Sequence, residues 1–407
     1  MVIRSSREGL PIAAMGEQGL GRRSGWIFFA VGAKPSSLRR AIAERLAEDE
    51  PIIIVDRPIS VLKTRTLPSL QARATCLVNH SRAVRYRPLH FPEKLPGLGT
   101  MCRKLNQMLL LRELNRLLPP EMGRVVCYDS PTQYQLVGQF HEQVAVYLAV
   151  DDLTVTVTGT AIKGELEAEQ KMLSRIDLVV CVSDVLAEAL RHRAPSSERP
   201  PIHVLPNGYD ERIFDPDQAY PEPQVLSPIS RPRILVAGYI SERIDWDGIV
   251  ATTHMRPEWT WVFIGWPDEQ AVERIRNDFN GKGYWYPPIP IQEIPSWIVH
   301  SDACAIPYRL NSFTRASNPL KALEYLAMGA PVLSTRIPSL QRYDGLINWV
   351  EEGDPSSYAG VLDRIRKTTK DQTATSRRRA VHGDSFANKV LLFKHMVLKS
   401  RVERKPC

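Results

Sequence analysis

Lys321 and Glu324 stand three positions apart in a segment whose pattern predicts a helix, and together they suit a phosphorylated ligand. Asn318 is a residue type that caps helices, and Pro319 suits the first helical position. The start of a helix presents free N–H groups and partial positive charge to an anion, and Lys321 adds a full charge. Glu324 can accept hydrogen bonds from two adjacent hydroxyls, such as those of a ribose. The segment therefore predicts a site for a nucleotide diphosphate.

An ion pair on the surface of an ordinary helix is the alternative explanation of Lys321 and Glu324. Such pairs are common and stabilise a helix by only about 0.2–0.5 kcal/mol. Glu324, however, lies between apolar residues, with Leu323 before it and Tyr325 and Leu326 after it. We expect its carboxylate to lie near the core, where it needs a partner. This favours a binding role.

The positive charge of the chain is concentrated in clusters. Lys and Arg number 53 against 45 Asp and Glu, which gives a formal net charge of +8. The clusters lie at 82–104, at 364–379 and at 394–405. Basic patches can meet anionic lipid, nucleic acid or acidic substrates, although solvated helix faces also explain them. Because no zinc-finger spacing and no aromatic–basic RNA motif is present, nucleic acid is not an expected partner.

The cysteine pattern and the hydropathy exclude several classes of protein. The six cysteines form no CxxC pair, and those at 127, 181 and 304 lie in apolar runs where a thiol acts as a small hydrophobe. No apolar run approaches the roughly 18 residues that cross a bilayer. These features predict the reducing cytosol, with neither a disulfide framework nor a zinc site.

Two blocks of alternating strand and helix patterns follow a Gly-, Arg- and Ser-rich stretch at 1–24, which we expect to be a disordered basic tail. A proline-rich stretch at 216–232 separates the blocks. Such alternation is typical of a parallel sheet covered by helices on both faces, so we predict an α/β fold with two Rossmann-like domains. The domains would span 25–220 and 221–384, with a helix at 385–407 after them. Ligands of such sheets bind at the carboxyl ends of the strands, in the crevice between facing domains.

The expected elements can be placed from the apolar runs and the periodicity. The predicted strands are 26–31, 51–55, 74–79, 125–128, 144–148, 178–182, 202–205, 233–237, 261–264, 303–306 and 331–335, and the principal predicted helices are 38–47, 103–118, 163–175 and 385–401.

Five segments occur in the order and spacing of one known family. They are Tyr147–Asp152, Asp177–Ser183, Leu205–Asp210, Gly238–Asp245 and Asn318–Val332. Each is weak alone, but their order is specific. Through them the chain, almost entirely after residue 24, resembles the GT-B glycosyltransferases of the family-4-like kind, closest to the teichuronic-acid and xanthan types.

The resemblance implies an enzyme of the hexosyltransferase class whose C-terminal domain binds a nucleotide-diphosphate sugar, with UDP favoured over GDP. It implies no metal and no resident cofactor, since the nucleotide sugar is a co-substrate. The final helix would cross back to the N-terminal domain, as in relatives. The residues expected to bind the donor are Gly238, Tyr239, Arg243, Tyr308, Asn318, Lys321 and Glu324. For Tyr308, ordinary packing is an equal alternative.

One position departs from the family pattern. Many family-4 enzymes carry two glutamates separated by seven residues, and Glu324 matches the second while Ala316 stands at the first. In retaining members the missing carboxylate contacts the donor sugar. Its absence leaves the stereochemical outcome open and favours the inverting branch that resembles xanthan glucuronosyltransferases.

Inversion requires a base for the acceptor hydroxyl, and the chain offers Asp151, with Asp152 as a substitute. Both follow a predicted buried strand and should face the cleft. A metal site and a plain helix cap are the alternatives for this pair. Because adjacent side chains rarely point to one place, we expect at most one of the two to be catalytic.

The acceptor is expected on the N-terminal domain, near the loop 32–37 and the basic stretch 82–87, and it would be a glycan or a lipid-linked saccharide used in cell-surface polysaccharide biosynthesis. A peripheral contact of a cytoplasmic protein with the inner face of the membrane would follow. The helix at 103–118 combines Met108 and three leucines with basic residues, so it would be either an interfacial helix or an ordinary core-facing one. An epimerase, a phosphorylase and a catalytically silent GT-B partner subunit are the rival interpretations.

Overall fold

A computed structural model of the protein describes residues 24–29, 38–63, 68–69, 73–77, 80–93, 97–119, 121, 123–195, 199–368 and 370–403. The predicted tail, apart from its last residue, and the predicted loop 32–37 lie outside the described residues.

The N-terminal domain is built on an eight-stranded sheet with the order β10-β9-β8-β7-β1-β2-β5-β4. The strands of this domain are β1 (Gly25–Phe29), β2 (Ile52–Val55), β3 (Ile59–Ser60), β4 (Ala74–Leu77), β5 (His80–Tyr86), β6 (Leu89–His90), β7 (Arg124–Tyr128), β8 (Val144–Ala149), β9 (Leu178–Cys181) and β10 (Ile202–Val204). Its central strands are fully buried, as expected for a sheet that is covered on both faces. The small strands β3 and β6 pair separately.

The C-terminal domain is built on a six-stranded parallel sheet with the order β13-β12-β11-β14-β15-β16. Its strands are β11 (Arg233–Ile240), β12 (Thr260–Pro267), β13 (Gly283–Tyr286), β14 (Ala303–Ile306), β15 (Val332–Thr335) and β16 (Ile347–Val350). The strand order reverses next to β11, between β12 and β14. A crevice opens outside the carboxyl ends of the strands at such a reversal, and ligands commonly bind there.

Helices connect and cover the strands of both sheets. They are α1 (Leu38–Leu46), α2 (Gly99–Leu117), α3 (Glu165–Leu173), α4 (Asp184–Arg193), α5 (Trp246–Met255), α6 (Ala271–Asn277), α7 (Ile294–Val299), α8 (Ser312–Ala316), α9 (Leu320–Ala327), α10 (Pro355–Lys367), α11 (Lys370–Val381) and α12 (Phe386–Glu403). Of the helices in the described part of the chain, none is long and apolar enough to cross a membrane.

The predicted fold class, α/β with two Rossmann-like domains, is confirmed, with one correction to the sheets. Strand β4 pairs antiparallel with β5, so the N-terminal sheet is mixed at that edge. Antiparallel pairs need only a short connection, and the two strands are adjacent in the chain. The prediction did not include β5 or β16, whose runs are broken by polar or charged residues, nor the short, half-exposed strand β13, nor the two-residue strands β3 and β6.

Two stretches of backbone cross between the domains and are hydrogen bonded to each other. The amide of Tyr209 donates to the carbonyl of Asp384 at 3.1 Å, and the amide of Phe386 donates to the carbonyl of Tyr209 at 2.9 Å. A side chain at Gly208 would collide with the same Asp384 carbonyl. Helix α12 then packs its apolar face on the N-terminal sheet, with Phe393 against Trp26. The two crossings fix how the domains face each other.

Candidate functional site

A cavity of about 570 Å³ lies in the cleft between the two domains, at the carboxyl ends of both sheets. The N-terminal domain contributes Leu38 and Arg39 at the start of α1 and Val150 and Asp151 after β8. The C-terminal domain contributes the larger share, and its lining residues are Ala237, Gly238, Tyr239, Arg243, Ile264, Gly265, Trp266, Pro288, Ile289, Pro290, Ile291, Ile294, Tyr308, Phe313, Ser317, Asn318, Pro319, Leu320 and Lys321. Asn207, which follows β10, also reaches it.

Two glycines shape the part of the cavity wall that the C-terminal domain contributes. Gly238 lies near the end of β11 with φ +133°, and Gly265 lies opposite it on β12 with φ +137°. A Cβ atom on Gly265 would lie 1.7 Å from the carbonyl oxygen of Gly238. Both backbones therefore need glycine, and a ligand can approach them closely. The sequence pattern indicated Gly238 but gave no sign of Gly265.

Arg243 is held over aromatic rings at the edge of the cavity. Its guanidinium lies 4.5 Å from the ring centre of Tyr308 and 6.0 Å from that of Tyr239, and it donates to the Tyr239 carbonyl at 3.1 Å. The amide of Arg309 donates to the Arg243 carbonyl at 2.7 Å. The Arg243 Nε is buried and makes no hydrogen bond among the described residues. The guanidinium is thus fixed in place at the cavity wall, where its positive charge can meet an anion.

Tyr308 is 8% exposed and serves two roles that the sequence could not separate. Its ring belongs to the hydrophobic core of the domain and also lines the cavity under Arg243. Its backbone is held by a bridge to Ile244. Packing and cavity lining therefore coincide at this residue.

Lys321 lines the cavity, and Glu324 lies behind it. The Lys321 ammonium donates to the Glu324 carboxylate, whose side chain is only 2% exposed. Burial raises the pKa of Glu324, and the charge of Lys321 partly opposes this. The structure brings Lys321 to the cavity surface, but Glu324 does not belong to the lining. The predicted contact of Glu324 with a ribose therefore requires the Lys321 side chain to move aside.

Asn318 does not cap helix α9, which corrects the sequence-based prediction. The helix begins at Leu320, with Pro319 at the capping position and no side-chain cap. The Asn318 Oδ1 instead accepts a hydrogen bond from the amide of Asn207 at 2.9 Å, and the Asn207 side chain donates to the Asn318 carbonyl. The first N–H groups of any helix have no partner within it, and because Asn318 is engaged with Asn207, its side chain does not cap those of α9. They lie on the cavity wall beside Lys321.

Asp151 and Asp152 follow the same strand but lie in different surroundings. Asp151 lines the cavity and is half-buried, whereas Asp152 is 4% exposed and does not reach the cavity. Arg193 donates to both oxygens of Asp152, at 3.0 and 2.7 Å. This pairing lowers the pKa of Asp152 against the opposing effect of burial. Of the two residues named as candidate bases, the structure therefore brings only Asp151 to the site.

Arg39 is a cavity residue that the sequence analysis did not single out. It is the second residue of helix α1 and donates to the Asp129 carbonyl at 3.0 Å, with the Asp129 carboxylate also 3.0 Å away. Asp129 follows β7, so the pair joins two elements at the carboxyl edge of the N-terminal sheet. A single Arg near the start of a helix has no distinguishing pattern, so no sequence signal could have revealed it.

The far end of the cavity is apolar. Ile289 and Ile291 line it after β13, Ile294 lines it at the start of α7, and Trp266 lines it near the end of β12. The sequence analysis did not identify these residues, and the run at 287–290, with three prolines, shows neither a helix nor a strand pattern. Their arrangement suits a flat, weakly polar ring. Among the described residues, no group of three or more His, Cys, Asp and Glu side chains could hold a metal ion.

Comparison with known proteins agrees with this geometry. The family model of the glycosyl transferases group 1 matches residues 232–367, which include the cavity residues of the C-terminal domain. A curated relative is the putative teichuronic acid biosynthesis glycosyltransferase TuaH of Bacillus subtilis, 25% identical over 225 residues. The match covers 53% of this chain and 54% of TuaH, so the chain aligns with about half the length of that relative.

Solved structures resemble the whole chain. The sucrose-phosphate synthase of Thermosynechococcus elongatus matches with a TM-score of 0.68 and 16% identity, over 94% of this chain and all of that one. Anabaena HepE in complex with UDP and glucose matches with a TM-score of 0.67 and 13% identity, over 93% of this chain and all of that one. At these identities the likeness establishes the fold. The chain has the GT-B fold and resembles bacterial polysaccharide glycosyltransferases, and its residues 232–367 match the family model of the glycosyl transferases group 1.

Proposed function

We propose that the protein is a glycosyltransferase that moves a sugar from a nucleotide-diphosphate sugar to a glycan or lipid-linked saccharide in cell-surface polysaccharide biosynthesis. The observation that carries this proposal is the cleft cavity. It joins one carboxylate from the N-terminal domain, Asp151, to two cations from the C-terminal domain, Arg243 and Lys321. A UDP-sugar is the favoured donor, since HepE was solved in complex with UDP and glucose.

In this proposal the diphosphate lies between Arg243 and the start of helix α9. The free N–H groups there, with Lys321, would offset its negative charge as the leaving group departs. Preorganised charge of this kind is often the largest catalytic contribution. Lys321 would turn from Glu324 to the phosphates, and the Glu324 carboxylate would then accept hydrogen bonds from the ribose hydroxyls. The base would occupy the apolar end near Ile289 and Trp266.

The chemical step would be a direct displacement at the anomeric carbon. The acceptor oxygen forms a bond to that carbon while the bond to the diphosphate oxygen breaks. The Asp151 carboxylate takes the acceptor proton, and the nucleoside diphosphate leaves with the electron pair of the broken bond. Attack from the face opposite the leaving group inverts the anomeric centre. Ala316, which replaces the first glutamate of the family pattern, is consistent with this outcome.

A lipid-linked acceptor would place the protein at the cytoplasmic surface of a membrane, and helix α2 offers a suitable face. The face with Leu110, Leu114 and Leu117 packs on the core, but of the nineteen residues of α2 only Cys102, Glu113 and Leu114 are buried, so much of the helix is exposed. Met101 and Met108 are 60% and 57% exposed. Its basic residues outnumber its one acidic residue, Glu113, which Arg73 binds inside the domain. An exposed apolar and basic face of this kind suits an anionic lipid surface.

Flotation with liposomes that contain anionic lipid tests the membrane contact. Binding should fall with salt and should be lost in Met108→Asp, because the apolar insertion and the charge attraction act together. Leu391→Asp on α12 is a matched control, since Leu391 is 52% exposed on a different helix. If both variants float like the wild type, α2 is not the contact.

A catalytically silent binding subunit is the second candidate, and Ala316 is the residue that favours it. In the structure the Ala316 carbonyl accepts a hydrogen bond from the Ser183 hydroxyl at 2.5 Å, so this position joins the two domains. A silent protein would bind the nucleotide sugar and release no nucleoside diphosphate.

One experiment separates the two candidates. In a thermal-shift panel of UDP-, GDP- and ADP-glucose, the true donor nucleotide should raise the melting temperature, because it binds only the folded protein. Release of nucleoside diphosphate without added acceptor is then measured for the same compounds. A shift with release supports the transferase, a shift without release supports the silent subunit, and no shift with any of the three contradicts both.

A further inference from the structure

We propose that Arg193 is a positioning residue that fixes the loop carrying Asp151 and balances the charge behind it. Arg193 lies at the last position of helix α4, outside the cavity lining. The inference rests on the proposed function, in which Asp151 takes the acceptor proton. It adds a role for a buried group of charges that this reaction does not itself use.

The network behind Asp151 is fully connected. Arg193 donates to both oxygens of Asp152, and its Nη1 also donates to Glu169 at 2.8 Å. The Tyr147 hydroxyl donates to the other Glu169 oxygen at 3.1 Å. The Thr154 amide and hydroxyl donate to Asp152 at 3.1 and 2.6 Å. Strand β8, helix α3 and helix α4 are thus joined at the residue next to Asp151.

The burial of this network means that its geometry is strongly constrained. The exposed fractions are 4% for the Asp152 side chain, 1% for Glu169 and 19% for Arg193. A buried charge without its partner is costly, so the three groups cannot separate freely. Because Asp152 is held at both oxygens, the backbone of Asp151 is held with it. Asp151 therefore faces the cavity from a fixed loop.

The charges around Asp151 make the role of Arg193 measurable. Asp152 lies on the same loop, Glu169 comes from α3 and Arg193 from α4, while Arg39 from α1 is paired with Asp129. Arg243 and Lys321 face it across the cavity from the other domain. Behind Asp151, Arg193 is thus the cation between two carboxylates. Its removal would leave Asp151 beside uncompensated negative charge, which disfavours ionisation of a carboxyl.

Two variants should shift the pH at which the Asp151 carboxyl titrates, in opposite directions. Arg193→Met removes the cation, so the Asp151 carboxyl should titrate at higher pH than in the wild type. Asp152→Asn removes an anion and retains Arg193, so it should titrate at lower pH. The carboxyl is followed by ¹³C NMR on the full protein and assigned with Asp151→Asn, which needs no substrate. General destabilisation would not produce shifts of opposite sign. If Arg193→Met folds poorly, the shift in Asp152→Asn alone still tests the role of the network.

Kinetics provide the second readout. In the hydrolysis of UDP-glucose, Arg193→Met should lower kcat by about 10- to 100-fold, the cost of a small misplacement of a catalytic group, with KM little changed. Arg191→Met is the matched control on the same helix turn, where Arg191 pairs with Glu188 at the surface. It should behave like the wild type in both readouts.

The outcomes distinguish this inference from the proposed function. If Asp151→Asn is inactive while Arg193→Met and Asp152→Asn leave the titration of Asp151 and kcat unchanged, the positioning role is wrong and the base assignment remains. If Asp152→Asn is as inactive as Asp151→Asn, Asp152 acts directly and Arg193 is not a positioning residue. If Asp151→Asn retains full turnover, the base assignment fails and this inference fails with it.

Discussion

The two walls of the cleft are built on different physical principles. On the wall formed by the C-terminal domain, here called the donor wall after the proposed function, the close approach of Gly238 and Gly265 and the open start of helix α9 present backbone to the cavity. Single cations stand there at Arg243 and Lys321. The opposite wall presents one carboxylate, Asp151, and supports it from behind with buried side-chain ion pairs. The donor wall is thus formed mainly by backbone, whereas the other wall depends on a network of charged side chains.

This difference explains which substitutions each wall should tolerate. A backbone site is damaged by any added atom, even a methyl group, because the backbone cannot yield. A charge network is damaged by changes of charge and tolerates changes of shape at its periphery. The donor wall also lies within the region that matches the group 1 family model, whereas Asp151 and its supporting residues lie outside that region.

Asp151→Asn should have the largest effect on turnover. It keeps the shape of the side chain but removes the proton acceptor, so nucleoside diphosphate release should fall by about 10²- to 10⁴-fold. Nucleotide affinity should not change, because the donor binds to the opposite wall. The measurement is a pair of kinetic and calorimetric titrations on one preparation. Wild-type turnover would remove Asp151 from the mechanism.

Gly265→Ala should have the largest effect on stability. The added methyl group would collide with the Gly238 carbonyl, and φ is +137°, so we expect a loss of about 2–5 kcal/mol in the free energy of unfolding. Gly345→Ala is the control. Its φ is +79° with open space around it, so only backbone strain of about 1–2 kcal/mol should appear. Equal losses in urea unfolding would mean that β11 and β12 do not approach as closely as described.

Lys321→Met should weaken nucleotide binding while leaving the fold intact. Loss of a charge-assisted contact to the diphosphate is worth about 1.5–3 kcal/mol, or roughly 10- to 100-fold in Kd for UDP. Lys394→Met is the matched control, because Lys394 pairs with Glu50 at 3.3 Å, away from the cavity. Similar affinities for both variants in calorimetry would show that Lys321 serves only to neutralise Glu324.

Glu324→Gln should have the smallest effect, a change in stability that depends on pH. Burial raises the pKa of Glu324 above its usual value of 4.5, so the folded protein holds this proton more tightly than the unfolded chain. The stability that this contributes is present below pH 4.5 and is lost as the pH rises through the higher folded value. Glutamine does not titrate. Without ligand, the melting temperature of the variant should therefore increase relative to that of the wild type as the pH rises, by roughly a few degrees. A difference independent of pH would contradict the raised pKa.

Much of the fold could be predicted because the apolar runs are long and regular. Strand β8 and helix α1 were placed within one or two residues, since buried parallel strands and amphipathic helices have distinct periods. Strand β13 was missed because Tyr284 and Trp285 lie in a short, half-exposed run. Strand β4 was placed, but its direction depends on pairing with β5, which the sequence pattern did not reveal.

The site was predicted less completely than the fold. Lys321 and Asp151 were identified because their residue types stand out beside an apolar helix and a buried strand. Gly265 was missed because one glycine in a strand has many explanations. The capping role expected of Asn318 was wrong because its partner, Asn207, is 111 positions away in the chain. Contacts of that range depend on how the two domains face each other, and local patterns do not contain them.

A crystal structure of the protein with a non-transferable donor analogue, UDP-2-fluoro-glucose, would test the central claim most directly. The same compound is bound in an E. coli trehalose-6-phosphate structure that matches this chain with a TM-score of 0.69 at 10% identity. The account predicts phosphate oxygens within hydrogen-bonding distance of the Leu320 and Lys321 amides and of Arg243, with Asp151 facing the anomeric carbon. A diphosphate bound away from the start of α9, or a sugar on the far side of the cavity from Asp151, would contradict it.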